Sequence, residues 1–74
     1  MKRVDLIECI LKDTFAFKHN NITYEKSKTR IKVWNSTPYN TGLFIHTDIV
    51  RLFDEFQTYF DFDKNINKTV LIIY

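Results

Sequence analysis

Val70-Leu71-Ile72-Ile73-Tyr74 is an uninterrupted apolar run, and it constrains the fold more than any other segment. Successive side chains of a strand point to opposite faces, so a run that is apolar at every position suits a strand covered on both. Such a strand belongs in the interior of a sheet, with neighbours on either side. At an edge it would invite pairing with another chain, the route by which a homodimer would form. The oligomeric state stays open.

The remaining segments supply those neighbours. Val4, Ile7, Ile10 and Leu11 fall on one face at helical spacing, with Leu6 beside them, which predicts a helix over residues 2–13. Residues 14–18 change to period two and predict a strand with Phe15 and Phe17 inward. His19-Asn20-Asn21 is a turn signal, because Asn tolerates left-handed backbone. A strand starts at Ile22, residues 35–42 form a loop holding the only Pro and only Gly, and residues 43–46 form a short strand. Thr47 and Asp48 suit the start of a helix running to about Phe60, with Ile49, Phe53, Phe56 and Phe60 as its stripe and Leu52 and Tyr59 widening it. Residues 61–67 read as a polar connection before the terminal strand. The expected fold is a single α+β domain over residues 1–74: a mostly antiparallel sheet of four to five strands with two helices on one face.

Composition sets outer bounds. At 74 residues the chain is near the lower size limit for folding without staples, and its single cysteine, Cys9, excludes an intramolecular disulfide. The core must therefore be apolar packing alone, for which twelve aromatic residues, seven of them Phe, give material. One cysteine suits a reducing compartment, and neither a signal-like segment nor a membrane-length apolar run occurs, so a cytoplasmic protein is expected. The net charge of +2 is split. Residues 1–37 hold eight Lys and Arg against four Asp and Glu, whereas residues 38–74 hold three against five. A two-signed molecule can offer a basic and an acidic surface to different partners.

The strongest binding signal is a basic stripe. Read as one strand, residues 24–34 place Tyr24, Lys26, Lys28, Arg30, Lys32 and Trp34 on one face, four cations between two aromatics, suited to phosphates and stacked bases. An unbroken strand from Ile22 to Trp34 would be long, and a turn or bulge near residues 26–28, splitting it into arms at 22–25 and 29–34, fits strand lengths better. The bland reading is an edge strand whose lysines discourage aggregation. Asn35, Tyr39 and Asn40 in the following loop are residue types that make adaptable interfaces. Asp54, Glu55, Asp61 and Asp63 form an acidic candidate surface for a partner's Lys or Arg.

Catalytic and metal signals are weak. Asp61, Asp63, Asn65 and Asn67 have the spacing of a calcium loop, but Ile66 stands at the sharp-turn Gly position and Ile72 at the bidentate Glu position. Cys9, His19 and His46 are not spaced as a zinc site. One glycine cannot make a Gly-rich phosphate loop. No metal, cofactor or catalytic activity is expected. In general type, though through no motif, the chain resembles small accessory proteins of phages and mobile elements, which often inhibit host machinery. That resemblance implies a non-enzymatic protein that inhibits a host nucleic-acid-targeting defence protein by occupying a functional surface. The alternative is a direct RNA- or DNA-binding module using strand 24–34.

Overall fold

Helical periodicity at the N-terminus becomes α1, Arg3–Lys12, in the computed structural model, which describes residues 2–36 and 49–74. Val4, Ile7 and Leu11 are its buried stripe, while Asp5 in the first turn and Lys12 in the last complement the helix dipole. Thr14 ends this helix and begins the next. Its hydroxyl donates to the Leu11 carbonyl at 2.6 Å and accepts from the Phe17 N–H at 3.2 Å.

Residues 14–18 are thus not the expected strand. Phe15–Lys18 forms a single helical turn, α2, that buries Ala16 and leaves Phe15 55% exposed. The Thr14 cap satisfies an otherwise orphaned N–H, and burying the small Ala16 brings the turn close to the core. Phe17 is half-buried beside Tyr24, with ring centroids 5.7 Å apart. The turn at residues 19–21 forms as expected, with Asn20 left-handed at φ 58°.

β1 (Ile22–Lys26) and β2 (Ile31–Asn35) pair antiparallel around a turn at residues 27–30, closed by the Ser27 N–H and hydroxyl on the Arg30 carbonyl. The break near Lys26 is therefore real. The predicted helix to Phe60 is instead short: α3 covers Val50–Glu55, and Phe56 is already extended at φ −134°, ψ 168°. Ile49, Leu52 and Phe56 do reach the core, but Thr58–Asp63 becomes β3, which pairs along its whole length with β4, Lys68–Ile73. Alternating aromatics and β-branched Thr suit a pleated strand, and six residue pairs with β4 outweigh the five further helical residues from 56 to 60. Asp61 and Asp63 consequently stand on a strand, and only residues 64–67 turn, with Asn67 left-handed at φ 54°.

The described strands make one antiparallel sheet in the order β1-β2-β4-β3, so the apolar run is interior as its composition requires. Ile22, Ile31, Val33, Leu71 and Ile73 line one face and join Val4, Ile7, Leu11, Ile49 and Leu52 in a single core. By register, Lys32, Trp34, Tyr59, Asp61, Val70 and Ile72 belong to the opposite face. The domain is α+β, with three helices among the described residues in place of two. The expected strand 43–46, the Thr47 and Asp48 helix start, His46, Tyr39 and Asn40 lie outside the described residues.

Candidate functional site

The hairpin distributes the basic stripe over two sides of the sheet. Register pairs Tyr24 with Val33 and Lys26 with Ile31, which puts Tyr24 and Lys26 on the helix-bearing face. Lys32 and Trp34 alternate with Val33 and so belong to the other face. The continuous row expected of an unbroken strand is absent because the turn at residues 27–30 interrupts its alternation.

Most of these cations are held within the fold. Lys26 Nζ lies 2.6 Å from Asp5 and 3.1 Å from Glu8, and the Tyr24 hydroxyl donates to Glu8 at 2.8 Å. The Lys26 hydrogen bond holds the Asp5 carboxyl below its usual range. Those from Tyr24 and then Lys26 do the same for Glu8, while Asp5 raises Lys26. Burial, then the bond to Glu8, pushes the Tyr24 phenol up. This cluster ties β1 to α1.

On the opposite face Lys32 Nζ sits 2.6 Å from Asp63 and 6.0 Å from the Trp34 ring centre. The Lys32 hydrogen bond, with that of the Asn65 N–H, lowers the Asp63 carboxyl, and Asp63 raises Lys32. Arg30 donates to the Tyr59 hydroxyl at 3.1 Å, and exposed Lys28 makes no ion pair among the described residues. Trp34 is half-buried away from the main core. Asn35 is buried on β2, where Lys68 Nζ donates to its carbonyl at 2.7 Å and its side-chain oxygen at 3.1 Å.

The acidic candidates divide similarly. Asp54 and Glu55 are exposed on α3, with Glu55 3.3 Å from Arg51. Asp61 is exposed on β3 and accepts the Phe62 N–H at 2.8 Å, whereas Asp63 is committed to Lys32. Among the described residues no three His, Cys, Asp or Glu side chains are grouped to hold a metal ion. His19 stacks on Phe15 at 3.8 Å, and Cys9 is exposed on α1.

Two features were not anticipated from the sequence. β3 is an edge of the described sheet, and its helix-side residues Phe60 and Phe62 are 55% and 51% exposed. Phe60 meets Phe53 of α3 edge-on at 6.5 Å, so this aromatic surface continues towards Asp54 and Glu55. The second is an open cleft of about 270 Å³ lined by Thr29, Arg30, Tyr59 and Tyr74. The alternation of Tyr59, Asp61 and Asp63 with Phe60 and Phe62, followed by Asn65 and Asn67, is the signal that would have exposed the first.

No family model matches the chain, and no curated protein or solved structure matches it. No helix among the described residues is long and apolar enough to cross a membrane.

Proposed function

We propose that this chain is a non-enzymatic binding protein that inhibits a host nucleic-acid-targeting defence protein by covering one of its functional surfaces. The observation that carries this reading is the pair of exposed phenylalanines, Phe60 and Phe62, on the helix-side face of β3, an edge of the described sheet. Adjacent large apolar side chains left in water are a recurring mark of a protein-binding surface. Asp54 and Glu55 on α3, next to Phe53 and its contact with Phe60, add negative charge of the kind that competes with phosphates for a partner's Lys and Arg.

The test is capture from host lysate on immobilised protein, comparing wild type with Phe60→Ser/Phe62→Ser and Asp54→Lys/Glu55→Lys. Retention of one nucleic-acid-handling protein by wild type alone, followed by loss of that protein's activity on adding the chain, supports the proposal. Equal retention by all three proteins, or a captured partner that keeps full activity, refutes it.

A further inference from the structure

We infer that the cleft formed by Thr29, Arg30, Tyr59 and Tyr74 binds a nucleotide unit, with the base against the tyrosines and the phosphate on Arg30. The cleft is separate from the surface proposed above, since Tyr59 belongs to the opposite face of β3 from Phe60 and Phe62. Three parts of the chain build it: the hairpin turn gives Thr29 and Arg30, β3 gives Tyr59, and Tyr74 follows β4. The backbone of Tyr74 is fixed by paired 2.9 Å hydrogen bonds with Gln57.

The two rings meet edge-on with centroids 5.9 Å apart, and both remain more than two-fifths exposed. Aromatic walls of this kind accept any flat π-system, which is how single-stranded nucleic acid is held without sequence preference. Arg30 adds the anion-binding element. One of its N–H groups donates to the Tyr59 hydroxyl, positioning the guanidinium beside the rings, and its other donors remain for phosphate oxygens.

The neighbouring charges set the direction of the ligand. Glu25 and Lys32 border a second depression on the other side of Arg30, where the carboxylate opposes an anion. Among the described residues Arg30 is the one cation lining the cleft, so the phosphate sits on its guanidinium. The volume is just under the roughly 300 Å³ at which drug-sized ligand sites begin, of the order one nucleotide unit occupies.

The test is an NMR titration of the full chain, following backbone amides and the Arg30 side-chain N–H. The ligands are adenosine monophosphate, a short oligothymidylate and inorganic phosphate, at low salt. Shifts centred on Thr29, Arg30, Tyr59 and Tyr74, weakened about tenfold or more by Arg30→Gln, support the site. Comparable affinity for the mononucleotide and the oligonucleotide marks a free nucleotide as the ligand, and response to the oligonucleotide alone marks a strand. Inorganic phosphate binding as well as the nucleotide overturns the inference, because the tyrosines then contribute nothing. No shifts at saturating ligand, or shifts centred elsewhere, overturn it too. Arg30→Gln lies in an exposed turn, and an unchanged thermal midpoint separates lost binding from lost fold.

Discussion

Lys32 on β2 and Asp63 on β3 meet at 2.6 Å across β4, the strand that separates theirs. Lys32 is in register with Ile72 and Asp63 with Lys68, so the pair runs diagonally past Val70, the residue between those two on the same face. Val70 is only 1% exposed although it lies outside the main core. The methylene stem of Lys32 provides cover there while its ammonium reaches the carboxylate. The cation is a strut of the sheet, as Lys26 is on the other face.

The strut gives a pH dependence. The folded-state pKa of Asp63 lies below its ordinary value, so its stabilisation is present above the unfolded carboxyl pKa of about 3.9 and is lost as pH falls through the folded value. Asp5 and Glu8 shift in the same direction. Thermal midpoints at neutral and acidic pH should therefore differ less in Asp63→Asn than in wild type, while some dependence remains. An equal acid loss in both proteins would show that the Lys32 contact does not form in solution.

Charge reversal separates structural cations from free ones. Lys26→Glu places a third carboxylate beside Asp5 and Glu8 and should lower the thermal midpoint clearly. Lys28→Glu, in the exposed turn, should leave it nearly unchanged. Differential scanning fluorimetry on the two variants reads the contrast directly.

Thr14 closes one helix and opens another, so its hydroxyl carries two local bonds. Thr14→Ala should cost about 0.5–2 kcal/mol in urea unfolding, and Thr14→Ser should recover most of it. Equal loss in both would place the contribution in the methyl group.

Leu52 is fully buried and is the only buried residue within α3. Leu52→Ala should destabilise by about 2–5 kcal/mol, measured by urea unfolding, through lost transfer energy and the cavity left behind. A cost well below that range would mean that the segment collapses around the smaller side chain.

Where packing follows a local period, the sequence is readable. Val4, Ile7 and Leu11 mark α1, and the run at residues 70–73 marks an interior strand, because each pattern has one efficient way to be buried. Residues 56–60 are harder, since Phe53, Phe56 and Phe60 are spaced for a helix while Thr58-Tyr59-Phe60 equally suits a strand. The presence of β4 decides between them, and no local window contains it. Phe15-Ala16-Phe17 misleads for the opposite reason: its alternation is genuine, yet the Thr14 hydroxyl fixes a helical turn. The candidate site shows the same limit. Clustered cations are visible in the sequence, but their carboxylate partners Asp5, Glu8 and Asp63 come from elements that only the fold brings near.

The interior place of β4 divides folding into two quick events and one slow one. Each hairpin, β1 with β2 and β3 with β4, closes over a short turn, an event on the scale of about 1–10 μs. Their joint is the ladder Ile31↔Ile73, Lys32↔Ile72 and Val33↔Leu71, and residues bonded beside it, Asn35 and Lys68, are 33 positions apart. Closing that distance costs chain entropy before the ladder returns any contact energy, so joining the hairpins is the expected slow step. Until the joint forms, β2 and β4 each present an unpaired backbone edge, and the interval of greatest aggregation hazard lasts as long as that single encounter takes.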